Sequence, residues 1–362
     1  MMFTTLGRYF FRRYLTIAIW FFLGVGAIIF LADFSETSRR MASLEGYTVP
    51  GALLFTVMRT PLIFQQTIPT LTLFIGMTAL IALNRRYELV VTRAAGISVW
   101  QFIMPFAIGA FLIGLFAMLV VNPLAAWGQR ESLSMEASWR EASNKSPKSE
   151  FVPWIRQISD GNDTIIGAKS YREDGTELID AVVFHFDSDG RVILRQDATS
   201  AKLEDGYWLL TDVLENRPGE ISQRVASVRL STNLRQEYLK ESLSQPETVA
   251  FYDLSRKIEV GRSFGLSTKA LETQFHSLLS LPLLLVAMTL IAATVSLKFS
   301  RFAQSRSVIL GGIVSGFVLY VVTVLVKAFG SSGAVPPFVA VWVPVIVATA
   351  LGATILLHQE DG

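Results

Sequence analysis

The sequence predicts an α-helical membrane protein with six transmembrane helices, grouped three and three, and an inserted all-β domain. Three observations carry that class. Of the 362 residues 51% are apolar and only 17% charged, more hydrophobic than a soluble domain needs. Six apolar stretches are long enough to cross a bilayer, near 14–34, 53–82, 99–122, 275–297, 307–328 and 337–358. A long polar segment divides the third stretch from the fourth and contains several short β-favouring runs.

The first stretch exceeds the apolar core of a signal peptide and is followed by no small-residue cleavage site, so it reads as a retained helix. Six crossings place both termini on one side. That side collects Arg8, Arg12, Arg13, Arg85, Arg86, Arg93, Lys298, Arg301 and Arg306, whereas the other short loops carry only Arg39 and Arg40. The excess of positive charge marks the cytoplasmic face, and the insert is then exported, since long domains cross with little regard to charge. The division expected is 1–127 for the first three helices, 128–262 for the insert and 263–362 for the last three. From 128 to 262 there are 18 basic against 23 acidic residues, leaving 14 against 7 in the rest. With no cysteine, the exported part relies on its own core.

Within the insert, Thr164–Ala168, Ala181–Asp187, Val192–Leu194, Tyr207–Val213 and Val225–Leu230 read as strands. Asp174-Gly175, Asp189-Gly190 and Asp205-Gly206 lie between them, and an Asp-Gly pair supplies the positive φ of tight hairpin turns. An antiparallel sandwich or open roll follows. Residues 143–149 read as a flexible entry, and Asp253–Glu259 and Thr268–Gln274 as helices leading into the fourth span.

No sequence pattern supplies catalysis. There is no phosphate-binding loop, no zinc-protease helix and no nucleophile elbow, and His185, His276 and His358 are far apart. His185 alternates with Phe184 and Phe186 on a strand and reads as structural. The chain is therefore expected to be a non-catalytic subunit, with no metal and no cofactor of its own, and nothing points to nucleic acid.

The charges at membrane level carry more. Asp33, Arg39 and Arg40 follow the first span, Arg59 lies in the second and Lys327 closes the fifth, all projecting to one outer level. Ionisable groups at that depth are costly and face protein or a cavity. They form either a basic rim that captures an anionic headgroup, or snorkelling and paired side chains. Pro61 and Pro69 are expected to kink the second span beside Gln65, Gln66 and Thr67. Ala110/Gly114 and Gly312/Gly316 give small faces for helix packing.

Residues 84–98 interrupt two apolar spans with charge and read as a short amphipathic helix on the aqueous side. Glu88-Leu89-Val90-Val91-Thr92-Arg93-Ala94-Ala95-Gly96-Ile97-Ser98 resembles the E-L-x-x-x-R-A-A-G-x-S signature of lipopolysaccharide-export permeases of the LptF/LptG type. Leu6-Gly7-Arg8-Tyr9, the Pro61–Pro69 spacing, Phe317-Val318-Leu319-Tyr320 and Pro336-Pro337 extend the likeness over the chain, closer to LptG than to LptF. The resemblance implies an inner-membrane permease half that pairs with an LptF-like chain above two LptB-like ATPase subunits, which use the ATP and Mg. It also implies a β-jellyroll-like form for the inserted periplasmic domain, and transfer of lipopolysaccharide from the outer leaflet to a periplasmic bridge of LptC-like and LptA-like proteins. Arg85, Arg86, Glu88, Arg93, Ala94, Ala95 and Gly96 then form the ATPase-coupling helix, with Glu88 the charged contact, and Arg39 and Arg40 match the family's basic lipid-binding residues by type. The competing expectation, an ion-coupled secondary transporter, lacks facing acidic residues in its spans. A mechanotransmitting permease would carry its exported domain after the first span, and an intramembrane hydrolase has no nucleophile and base.

Overall fold

Apolar length sets the first group of elements. Helix α1 (Thr5–Met41) and helix α2 (Val49–Arg85) each run for 37 residues, about 55 Å at 1.5 Å per residue and thus longer than a bilayer core. The computed structural model describes residues 5–44, 46–142, 154–159, 162–172, 176–187, 191–232, 245–263, 267–296 and 306–361. Two of the residues used for orientation, Lys298 and Arg301, lie outside these, as do the segment 143–149 and the Asp174-Gly175 and Asp189-Gly190 pairs.

By contact the chain divides into two units, Met1–Trp139 with Pro246–Ser255 and Lys269–Gly362, and Arg140–Gln245 with Arg256–Thr268. The first contains α1, α2, the short α3 (Glu88–Ala94), α4 (Val99–Phe116), a π-helical turn (Ala117–Val121) and most of α5 (Asn122–Ala142). It also holds the start of α6 (Phe251–Ser263), then α7 (Lys269–Ser296), α8 (Arg306–Ser332) and α9 (Pro337–Asp361). Six of the described segments are long and apolar enough to cross a membrane.

Local sequence explains the ends. Thr48 accepts a hydrogen bond from Gly51 N at the start of α2, and Ser98 accepts one from Gln101 N at the start of α4. Inside α2, the hydroxyls of Thr56, Thr60 and Thr72 donate to carbonyls one turn back, so these polar groups are satisfied without water. Helix α2 runs as one element through both Pro61 and Pro69.

In the third span the helix continues past 122 to Ala142. Charge does not stop a helix, and Leu124, Trp127, Met135 and Trp139 fall on one side of it at 3.6 residues per turn. Trp139 packs on Phe55 and Tyr47 with ring centroids 5.8 and 6.2 Å apart, in a cluster with Met41.

The core of this unit joins Phe10, Tyr14, Phe102 and Phe106 from α1 and α4 to Leu73, Leu80, Leu285 and Met288 from α2 and α7. Close approach depends on missing side chains. A Cβ on Gly114 of α4 would stand 2.5 Å from the Pro282 Cα of α7, and one on Gly128 would overlap the Met58 carbonyl oxygen of α2.

The second unit is a seven-stranded antiparallel sheet. Its strands are β1 (Ile155–Ser159), β2 (Asn162–Gly167), β3 (Ser170–Arg172), β4 (Glu177–Phe186), β5 (Val192–Glu204), β6 (Tyr207–Asn216) and β7 (Gln223–Ser231). The order is β1-β2-β4-β5-β6-β7, with β3 also on β4. Ile166, Leu178, Val183, Leu203, Trp208 and Leu210 form one buried face. Gly206, with φ of +85°, makes the β5–β6 turn that Asp205-Gly206 predicts. Asp180 and Asp212 take φ of +51° and +54° within strands, and Thr199 between them is absent from both adjoining registers, so the ladder is interrupted along one row.

His185 joins a polar row within the sheet. Its Nε2 lies 2.9 Å from Gln196 Oε1, and Gln196 Nε2 donates to Glu215 at 2.7 Å, a polar row across β4, β5 and β6.

Candidate functional site

The charged break between the second and third spans folds as a short helix held by its two ends. Arg85 is the last residue of α2 and Arg86 its C-cap. Tyr87 then takes a left-handed conformation, φ 59°, which turns the chain into α3. Gly96, at φ +80°, takes the chain out again toward Ser98 and α4. A positive φ costs least at glycine, so Gly96 is the residue suited to that turn.

This geometry sorts the side chains. Leu89 and Thr92 are buried, and the Thr92 hydroxyl donates to the Glu88 carbonyl at 2.6 Å. Tyr87, Val90 and Val91 face outward, Tyr87 at 72% and Val91 at 67% exposure, alongside exposed Arg85, Arg86, Arg93, Ala94, Ala95 and Gly96. Small and apolar residues bordered by arginines are thus presented on a helix of seven residues.

Glu88 opens α3 and is only partly exposed. Its carboxylate oxygens accept from the Tyr9 hydroxyl at 3.1 and 3.3 Å, and Arg13 Nη1 donates to the same hydroxyl oxygen at 3.1 Å. Tyr9 belongs to α1, 79 residues away. No local spacing could have identified that partner, although Tyr9 falls within the Leu6–Tyr9 stretch noted in the sequence.

The five outer-level residues do not share one environment. Asp33 of α1 and Arg59 of α2 form an ion pair at 3.5 Å, their side chains 10% and 32% exposed. The second carboxylate oxygen of Asp33 is buried without a hydrogen-bond partner. Arg39 is engaged by Glu36 on its own helix at 2.7 Å, in the open, an arrangement of small energetic weight. Arg40 is exposed in the last turn of α1.

Lys327 occupies a different setting. Its Nζ donates to Gln274 Oε1 at 2.8 Å, joining α8 to α7. Both line a cavity of about 150 Å³ with Gln65 and Gln66 of α2, Glu247 and Tyr320. Pro69 lines the same cavity, and Pro61 is on the same helix outside that lining. Of these residues, Gln274 and Glu247 escaped the sequence reading as site residues and Tyr320 entered it only within the Phe317–Tyr320 stretch, because which helical faces meet is set by packing.

A second polar joint also escaped it. Pro123 has no N–H, so the Leu119 carbonyl loses its helical donor, and the hydroxyl of Tyr252 on α6 supplies one at 3.0 Å. The neighbouring Asn122 is buried at 2% exposure. Its Oδ1 accepts from Phe251 N at 2.8 Å, and its Nδ2 reaches Gln65 Oε1 at 3.5 Å. Helix α6 thus receives from Asn122 the cap that its own first N–H lacks. Phe251 stacks on Phe275 of α7 at 5.5 Å between centroids. The π-helical turn just before Asn122 is where such a substitution of partners occurs. The Asn-Pro dipeptide at the end of an apolar run is the signal that points to it.

Among the described residues no group of three or more histidine, aspartate or glutamate side chains is placed to hold a metal ion. The family model for the lipopolysaccharide export system permease LptF/LptG matches residues 8–358. Among curated proteins, none matches the chain.

Proposed function

Because the chain belongs to the LptF/LptG family of lipopolysaccharide export permeases, a permease component and not a catalytic subunit, we propose that it is the LptG-type half of an ATP-driven exporter. In this reading an LptF-like chain completes the membrane dimer and two LptB-like subunits bind on the cytoplasmic side and hydrolyse MgATP. The chain takes lipopolysaccharide from the outer leaflet of the bacterial inner membrane and passes it to a periplasmic bridge of LptC-like and LptA-like proteins. The termini and α3 are cytoplasmic, the sheet is periplasmic, and the product serves outer-membrane assembly.

One observation supports the coupling role above the others. Helix α3 is anchored through Leu89 and Thr92 yet turns Tyr87, Val91, Ala94, Ala95 and its arginines outward. A short rigid helix with an apolar exposed face is suited to a groove on another protein, and it converts movement of that groove into displacement of α2 and α4. Along their lengths, α1 and α8 expose Trp20, Leu23, Ile28 and Leu31, and Val314, Phe317, Leu325 and Phe329. These faces suit lipid or a partner's helices, and the family implies that the first and fifth spans flank the lipid gate. Asp33, Arg39, Arg40 and Arg59 on α1 and α2, and Lys327 on α8, are the proposed headgroup contacts, with Arg39 and Arg40 exposed and Lys327 reached through the polar cavity.

The test is charge reversal at the coupling helix. In the complete exporter reconstituted in proteoliposomes with lipopolysaccharide, Glu88→Lys is expected to lower ATP-dependent lipid release by about tenfold or more, the scale of a lost close charge pair at an interface. Normal release per ATP from this variant would remove the coupling assignment. Recovery of the chain from native membrane without a nucleotide-binding subunit would remove the exporter itself.

A further inference from the structure

The carboxylate of Glu88 is not presented bare to solvent, because the Tyr9 hydroxyl reaches both of its oxygens and Arg13 braces that hydroxyl from the other side. From this geometry we infer that Tyr9 is a positioning residue, a latch through which displacement of α3 is passed directly to α1. The inference rests on the coupling role proposed above for α3.

Connectivity makes the latch consequential. Helix α3 is joined covalently to α2 and α4, whereas α1 is separated from it by the whole of α2. Apart from this bond, α3 is coupled to α1 through apolar packing, in which Leu89 shares a buried cluster with Phe10 and Tyr14. The chain Arg13 to Tyr9 to Glu88 adds a directional polar route, and Arg13 is followed directly by Tyr14, which is fully buried against Phe106. Movement at Tyr9 therefore enters α1 beside its packed section. Beyond that section α1 carries the outward apolar face at Trp20, Leu23, Ile28 and Leu31 and then the Asp33–Arg59 pair.

The partners' chemistry suits a reversible contact. A phenol donating to a carboxylate is a charge-assisted bond, stronger than a neutral one, yet Tyr9 is 43% exposed, so water competes for both partners and the bond can open and close. Arg13 Nε is buried without a hydrogen-bond partner, so the guanidinium is held by its surroundings and its Nη1 is directed at Tyr9. Tyrosine at a membrane boundary commonly serves only as an interfacial anchor. An anchor needs the ring and a wet hydroxyl, not a carboxylate on another helix.

The latch and the ATPase contact make different demands on Glu88, which separates them experimentally. The latch needs an acceptor and survives Glu88→Gln, whereas an ion pair to the ATPase needs the charge. The measurement is lipopolysaccharide released per ATP hydrolysed by the complete exporter in proteoliposomes, with Tyr9→Phe introduced into the wild-type, Glu88→Gln and Glu88→Ala backgrounds. Tyr9→Phe is expected to lower that ratio about fivefold, the factor carried by one net hydrogen bond, in the first two backgrounds and not at all in the third. Wild-type release from Tyr9→Phe, or an equal loss in the Glu88→Ala background, overturns the latch. Loss of the ATPase from the purified Tyr9→Phe complex also overturns it, since the hydroxyl would then belong to the docking surface. Normal coupling in Glu88→Lys would instead sink the coupling reading, whatever Tyr9→Phe does.

Discussion

Replacing Gly114 by alanine tests how closely the two halves of the membrane unit are packed. The added Cβ would lie 2.5 Å from Pro282 Cα, 3.0 Å from its N and 3.2 Å from its Cβ. Backbone and a proline ring cannot rotate aside, so α4 and α7 must separate by about 1 Å to restore ordinary carbon–carbon contact. Overpacking of this kind costs about 1–3 kcal/mol. It is partly offset by the gain of about 0.5–1 kcal/mol that alanine brings to a helix over glycine. Gly311→Ala in α8 is the matched control, because a Cβ there meets nothing within 4 Å and the helix gain stands alone. The two variants should differ by the packing cost, with Gly114→Ala the less stable. Unfolding of the purified chain by SDS in mixed micelles, followed by circular dichroism, measures both. Equal midpoints for the two would refute the close approach of α4 to α7.

Two further outcomes follow from other parts of the molecule. Asn122→Ala leaves the Phe251 N–H without its acceptor, and burial makes that omission cost about 1–3 kcal/mol; Asn122→Asp, which keeps an acceptor oxygen, should lose less in the same SDS titration, and equal losses would argue against the cap. In the sheet, the Arg224 guanidinium bonded to Asp212 holds that carboxyl below the usual carboxylate range. A depressed folded-state pKa contributes stability above the unfolded value, about 3.9, which is lost as pH falls through the folded value. Arg224→Met should therefore flatten the decline in stability below pH about 4, as read by urea unfolding of the full chain with near-ultraviolet dichroism, and an unchanged acid slope would count against the pair.

What the sequence made legible depended on how local each signal was. Six apolar stretches were readable because a bilayer demands length and composition alone, and α3 stood out because its charges interrupt two such stretches. The polar half of β5, Arg195–Glu204, was missed because its inward positions include Ala198 and Ala201, too small to mark a strand by hydrophobicity. The short strands β1 and β3 lie outside the predicted runs for the same lack of a long apolar repeat. The helical continuation of the third span to Ala142 went unread because its residues are largely polar, although no glycine pair or cap stops the helix before it. Tyr9 with Glu88, Lys327 with Gln274 and Asn122 with Phe251 were unreadable for a different reason. Each joins helices far apart in sequence, and only packing decides which faces meet. The same fact separated Lys327 from the Asp33–Arg59 pair, although all three share a predicted depth.

The joint of Asn122 and Tyr252 with the third span has a consequence in polymer terms. It holds residues 122 and 251 together across 129 positions. Closing a flexible loop of that length costs about 4 kcal/mol in chain entropy, and doubling it adds only about 0.6 kcal/mol. Once helix packing has closed the loop, the sheet folds with its ends already tethered and contributes nothing further to closure. The membrane helices are therefore nearly indifferent to how many residues the loop contains, and strands can be gained or lost within it with little change in the stability of the helical bundle.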